Sequence, residues 1–183
     1  DQNIYDVVDP GLVAKMHKAI TVIQFKVEGQ IIKRHPEYGL NHRCLLEQVD
    51  FDKGTVEVDG KTYPMLDMKF PTIDPKDPLK LTEQEAELLQ TLKMSFRHSG
   101  LLHKHIKFLY SHGSMYKCCN NNLLYHGCIP LKKDGSFDDI VFYGIPYSGK
   151  ALMDFVDQMV QSAYFLPESN PDKGVASDFM WYL

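Results

Sequence analysis

No apolar run in this chain approaches the roughly 20 residues that a bilayer-spanning helix needs, so the sequence offers no membrane segment. The start, Asp1-Gln2-Asn3-Ile4-Tyr5-Asp6, lacks the basic and apolar regions of a signal peptide. There is no basic surplus. Twenty Lys and Arg against 24 Asp and Glu leave a formal charge of -4, which argues against a nucleic-acid partner because phosphates would go unneutralised. Cysteine is sparse: Cys44, Cys118, Cys119 and Cys128 match no disulfide framework, and adjacent cysteines rarely bridge, so reduced thiols in a cytoplasmic protein are expected. Internal repeats and low-complexity segments are missing. An initiating methionine is missing too, and the end, Asp178-Phe179-Met180-Trp181-Tyr182-Leu183, is apolar with no stop signal. Part of a longer polypeptide is the expectation.

What is present is an ordinary globular composition, 44% hydrophobic and 24% charged over 183 residues, enough for a real core. From Pro10 to about Arg34, Leu12, Met16, Ala19, Ile20, Ile23, Val27 and Ile31 recur at helical spacing. Asp9-Pro10 predicts the start of this helix and His35-Pro36 its end. Gly29 inside the pattern implies close packing or a break. Asn41 to Leu46 reads as a short turn or helix. Thr55-Val56-Glu57-Val58 and Lys61-Thr62-Tyr63-Pro64 flank Asp59-Gly60, a strong hairpin signal. Val49 to Asp52 reads as a further strand, and Phe70 to Pro78 as proline-rich loop.

Thr82-Glu83-Gln84-Glu85 matches a capping box and opens a helix to about His98. Ser99-Gly100 interrupts it, and a second helix runs from Leu101 to about Ser111. Ser114 to Cys119 and Leu123 to Tyr125 read as strands joined by Asn120-Asn121-Asn122, since asparagine tolerates the left-handed backbone of a tight turn. Lys133-Asp134-Gly135 reads as a turn and Ile140 to Tyr143 as a strand. Ser148-Gly149-Lys150 opens a helix from Ala151 to about Phe165, with Leu152, Phe155, Val156, Met159 and Val160 on one face. Helices and strands come in blocks, so the expected class is α+β.

The most informative stretch is Leu123-Leu124-Tyr125-His126-Gly127-Cys128-Ile129-Pro130. An apolar run ending in His-Gly reads as a buried strand that presents an imidazole beyond the sheet edge. Glycine permits a sharp turn or a close ligand, and proline keeps the strand from continuing inside a sheet. A strand-end histidine is more often structural than a ligand. A zinc site from Cys118, Cys119, Cys128 and His126 is disfavoured, because Cys118 and Cys119 would point to opposite faces and no second cysteine pair exists. His98, His103 and His105 do not share a helical face; with Arg97, Lys104 and Lys107 they read as a solvated basic surface. Asn41-His42-Arg43 looks like a phosphatase Asn-His pair but has neither the preceding glycine nor the following acid. Ser148-Gly149-Lys150 lacks the glycine run of a P-loop, and Ser148 reads as an N-cap.

Several segments in one order resemble a known family. They are Ile23-Gln24-Phe25-Lys26 with Glu28, Lys61-Thr62-Tyr63-Pro64, Thr72-Ile73-Asp74-Pro75, Phe108-Leu109-Tyr110, Asn122 to Pro130, Gly149-Lys150-Ala151-Leu152-Met153-Asp154 and Asp178 to Leu183. Together they look like the middle of class III fructose-1,6-bisphosphatase, a gluconeogenic enzyme on a calcineurin-like metallophosphatase core. Each match alone is weak; their number and order make the resemblance specific, and it covers nearly the whole chain.

The resemblance implies hydrolysis of the 1-phosphate of fructose 1,6-bisphosphate at a binuclear Mn2+ site. Of the metal-binding motifs of such enzymes only the later His-Gly is here, so His126 is the one implied ligand. The other ligands would lie outside this chain. Residues 1–111 would be a mostly helical insertion with a small hairpin. Residues 112–183 would be strands and a helix of a sandwich only partly present. The implied partners are the substrate, the remaining portions of the parent chain and, as an open question, further copies of it. The alternative reading is a non-catalytic binding or regulatory module on the same scaffold.

Overall fold

A computed structural model describes residues 9–125 and 127–183. His126 and the opening stretch Asp1 to Asp6 lie outside the described residues. The chain is α+β and divides into two compact units, Asp1–Lys93 and Met94–Leu183. Among the described residues no helix is long and apolar enough to cross a membrane.

In the first unit, helix α1 spans Pro10–Arg34 as its sequence signals require. Asp9 accepts a hydrogen bond from the Gly11 amide at 2.9 Å, and the His35 amide closes the far end on the Ile31 and Ile32 carbonyls. The buried face differs from the expected stripe. Leu12, Met16 and Ile20 are 51%, 58% and 43% exposed, whereas Val22, Ile23, Lys26, Gly29, Ile31 and Ile32 are buried. Periodicity identifies an apolar face but not how far along it packing reaches. Gly29 is a close-packing glycine: a Cβ there would stand 2.5 Å from a Leu79 methyl and 3.2 Å from Cys44 Sγ.

Short 3-10 turns at Asn41–Arg43 and Leu45–Gln48 lead to a three-stranded antiparallel sheet. Its strands are β1 (Val49–Asp50), β2 (Thr55–Val58) and β3 (Lys61–Pro64). The first is two residues shorter than expected, because the Asp50 side chain accepts from the Asp52 and Lys53 amides and turns the chain there. Asp59 and Gly60, at φ 52° and 73°, supply the two positive φ angles that a type I′ hairpin needs. Helix α2 (Glu83–His98) starts with the expected capping box: the Thr82 amide donates to Glu85 Oε2 at 2.8 Å and the Glu85 amide to Thr82 Oγ1 at 3.2 Å.

Lys26, wholly buried, donates to Glu85 Oε2 at 2.8 Å and to the Thr72 carbonyl at 2.5 Å. One turn on, Gln30 donates to the Leu79 carbonyl at 2.7 Å. Two side chains of α1 thus hold both ends of the proline-rich segment and the start of α2.

The division between the units falls within α2. In the second unit, helix α3 spans Gly100–His112. Hairpin β4–β5 (Tyr116–Cys119, Asn122–Tyr125) turns at Asn120 and Asn121, with φ of 51° and 61°. Hairpin β6–β7 (Ile140–Phe142, Ile145–Tyr147) turns at Tyr143 and Gly144, with φ of 53° and 78°. Helices α4 (Gly149–Phe165) and α5 (Pro171–Tyr182) follow. Phe142, Phe155 and Phe179 meet at centroid distances of 5.1–5.4 Å, and Phe179 is fully buried. Such edge-to-face and offset contacts add to the area they bury. Lys173 of α5 donates to the Leu166 carbonyl at 2.7 Å, satisfying the open end of α4.

The buried strand expected at Leu123 to Tyr125 is corrected. The strand exists, but Leu123, Leu124 and Tyr125 are 51%, 55% and 49% exposed, because among the described residues β4 and β5 pair only with each other. An apolar run shows what a strand could bury, not what lies against it.

Candidate functional site

Tyr116 pairs with Tyr125 and Cys118 with Leu123, so these four side chains share one face of the β4–β5 hairpin. Against that face lies a cavity of about 290 Å³, also lined by Ile129, Phe137, Lys150 and Met153. Its surface is apolar except at one rim. There Lys150 Nζ lies 2.5 Å from Asp154 Oδ2, and the Tyr116 hydroxyl donates to Asp154 Oδ1 at 3.0 Å. The hydrogen bond to Asp154, then that to Tyr116, raises the pKa of Lys150. The bond from Lys150 lowers that of Asp154. Lys150 and Asp154 are exposed and Tyr116 is half-buried, so the trio is a polar edge beside an apolar floor rather than a buried charge centre.

The strand that carries this floor ends at Tyr125, immediately before His126. Beyond it Gly127 takes φ 91°, a left-handed backbone that favours glycine. His126 itself lies outside the described residues. Cys128 is exposed and Pro130 half-buried. Cys118 and Cys119 are consecutive on β4 and so point to opposite faces. All four cysteines are free, as expected. Among the described residues no three His, Cys, Asp or Glu side chains gather where they could hold a metal ion.

The other candidates separate. Asn41-His42-Arg43 forms a 3-10 turn in the first unit. His98, His103 and His105 are exposed, with Arg97, Lys104 and Lys107. His103 is tied to the Tyr164 hydroxyl, 2.9 Å from Nδ1, and Arg97 pairs with Glu168. Ser148 stands at the N-cap position of α4, but its side chain makes no capping hydrogen bond. Gly149 is buried under Phe137, which would meet a Cβ at 3.1 Å. The Tyr116–Asp154–Lys150 trio was not anticipated. The four-residue Lys150-to-Asp154 spacing is its one sequence signal; the Tyr116 contact depends on the hairpin.

No solved structure matches this chain. A family model described as Firmicute fructose-1,6-bisphosphatase matches residues 1–183. A class 3 fructose-1,6-bisphosphatase of Clostridium novyi is 51% identical over 94% of this chain and 26% of its own length. That of Bacteroides fragilis is 48% identical over 94% of this chain and 26% of its own length. That of Finegoldia magna is 46% identical over the whole chain and 28% of its own length. The chain therefore spans about a quarter of the length of the curated relatives it matches. With the match running from the first residue to the last, the chain belongs to the Firmicute fructose-1,6-bisphosphatase family.

Proposed function

We propose that this chain is part of a cytoplasmic fructose-1,6-bisphosphatase of gluconeogenesis. In the reaction, water oxygen bonds to the phosphorus of the 1-phosphate, the bond from phosphorus to the sugar oxygen breaks, and that oxygen takes a proton. Family membership over all 183 residues carries this reading. The proposed centre is binuclear manganese, with His126 as the one ligand from this chain. The described residues do not fit such a centre by themselves, since they gather no three metal-binding side chains. The remaining ligands are assigned to polypeptide outside these residues.

Within this reading, 112–183 supplies strands and a helix to a calcineurin-like sandwich, and 1–111 is the insertion. The half-exposed Leu123, Leu124 and Tyr125 on a two-stranded hairpin support further strands beside β5. Assembly into a homo-oligomer is part of the proposal; a nucleic-acid or membrane partner is not.

The test compares the full-length protein with the 183-residue chain. The full-length protein is expected to release phosphate from fructose 1,6-bisphosphate when manganese is supplied. The 183-residue chain is expected to release none above its His126→Ala control. Manganese-dependent release by the short chain would overturn the single-ligand assignment. A full-length protein that binds the sugar bisphosphate without hydrolysing it would instead establish the regulatory-module alternative.

A further inference from the structure

Three elements of the second unit meet at a groove of about 250 Å³. Helix α4 presents Gln158 and Ser162, four residues apart and so on one face. The first turn of α5 presents Asp172, and the β6–β7 turn presents Tyr143. The volume lies just under the range of drug-sized sites, about 300–1,000 Å³, which suits a ligand of one small ring.

The polar side chains of this groove are unspent. Thr21, Thr91 and Ser177 each give their hydroxyl to the carbonyl four residues back. Among the described residues Ser162 makes no such bond, and the side chains of Gln158 and Asp172 have no hydrogen-bond or ion-pair partner. Tyr143 is unusual in its backbone. Its φ of 53° is left-handed, which a bulky residue rarely adopts; the β4–β5 turn puts Asn120 and Asn121 in such positions. Strained backbones of this kind cluster at ligand sites. Here the strain sets an exposed aromatic ring on the groove wall.

The lining selects by charge and by hydrogen-bond type. A carboxylate only accepts, whereas an amide and a hydroxyl both donate and accept. An amine would suit Asp172 but leave the Gln158 donors unmatched, because an ammonium only donates. A phosphate would face the Asp172 carboxylate with nothing to offset it. Among the described residues no lysine or arginine lines the groove, and the adjacent Lys173 is spent on the Tyr164 and Leu166 carbonyls. Neighbouring hydroxyls on a ring satisfy all three polar groups, and the ring's C–H face matches an aromatic wall.

We propose that the groove between α4 and α5 binds an unphosphorylated monosaccharide, hydroxyls on Gln158, Ser162 and Asp172, C–H face on Tyr143. The site is independent of the proposed phosphatase activity.

The probe is D-glucose, measured by equilibrium dialysis against the 183-residue chain and against the full-length protein. Glucose 6-phosphate and cyclohexylamine are the anionic and cationic comparisons. Saturable binding of one glucose per chain is expected in both proteins, with both comparisons weaker. Gln158→Ala is expected to weaken glucose about fivefold and Asp172→Ala about tenfold, the loss of a neutral and of a charge-assisted hydrogen bond. Tyr143→Asn puts in the turn a residue that tolerates its φ. It is expected to lose most of the affinity while the unfolding midpoint holds or rises. If Tyr143→Asn fails to unfold cooperatively, the other two variants still decide. Absence of saturable binding overturns the proposal. So does a comparison compound that binds as tightly as glucose, or a glucose affinity that none of the variants changes. Binding by the short chain that the full-length protein lacks also overturns it, since another stretch of polypeptide would then cover the groove.

Discussion

Replacing Lys26 by alanine is expected to cost the first unit about 3–5 kcal/mol, the usual penalty for breaking a buried ion pair from one side. The ammonium is wholly buried and ties Glu85 to the Thr72 carbonyl. Its removal strands a carboxylate at 8% side-chain exposure. It also frees the proline-rich segment and the start of α2 from α1. Because domain stabilities are of order 5–15 kcal/mol, the denaturant midpoint should fall by about a fifth or more. Lys26→Met with Glu85→Gln should recover much of the loss, since the amide oxygen can still accept from the Thr82 amide and no charge remains buried.

The pH dependence separates this account from simple loss of packing. Burial pushes the Glu85 carboxyl up, but the hydrogen bonds from Lys26, Thr82 and Thr72 outweigh it, so the folded pKa lies below its ordinary 4.5. A carboxylate with a lowered folded pKa stabilises the protein above the unfolded value and loses that contribution as pH falls through the folded one. Without Lys26 the same carboxyl is buried unpaired and gains by protonation. The stability gap between wild type and Lys26→Ala should therefore narrow as pH falls from 7, beginning above 4.5 where the unpaired carboxyl of the variant takes up its proton and ending below 4.5 where the paired one does. A gap that stays constant from pH 7 to pH 4 would mean that Lys26 acts only by filling space.

On the proposed assignment of His126 as a manganese ligand, His126→Ala in the full-length protein is expected to reduce turnover by at least the roughly 10–100-fold that changes behind a metal ligand already cost. Bound manganese per chain should fall with it. The unfolding midpoint should move little, because the position follows the end of a strand whose last three residues are half-exposed. His98→Ala and Cys128→Ala alter exposed side chains and should change neither quantity much. Full manganese content and near-normal turnover in His126→Ala would make His126 a structural residue.

The features legible in the sequence were those set by neighbours a few residues apart. Asp9-Pro10 fixes the start of α1, Thr82 and Glu85 the start of α2, and Asp59-Gly60 the first hairpin. Strand β7 was hidden because Pro146 argues against a strand and Tyr143 is an unusual residue for a left-handed turn. Pro146 is accommodated on a two-stranded hairpin, where half of the backbone groups need no ladder partner. Helix α5 did carry a signal, Asn170-Pro171, equivalent to Asp9-Pro10 and satisfied by the Asp172 amide at 2.9 Å.

Contacts between distant segments were not legible. Lys26 sits on the helical face expected for apolar residues, and only the fold brings Glu85 to it, 59 residues on. The trio at Lys150 and the groove between α4 and α5 likewise depend on how separate elements approach. His126 could be singled out through the family's His-Gly motif, not through spacing.

Cys44 gives the first unit a chemical clock. It is the single cysteine before Lys93, and it lies 4% exposed beside Leu46 and Leu79. Burial, with Glu47 nearby, raises its thiol to about 11, so at neutral pH it is both hidden and protonated, and thiolate is the reactive form. The other three thiols are exposed and consume reagent at once. The slow fourth equivalent in a thiol-labelling time course then counts opening events of the first unit alone, under native conditions and without a probe being introduced.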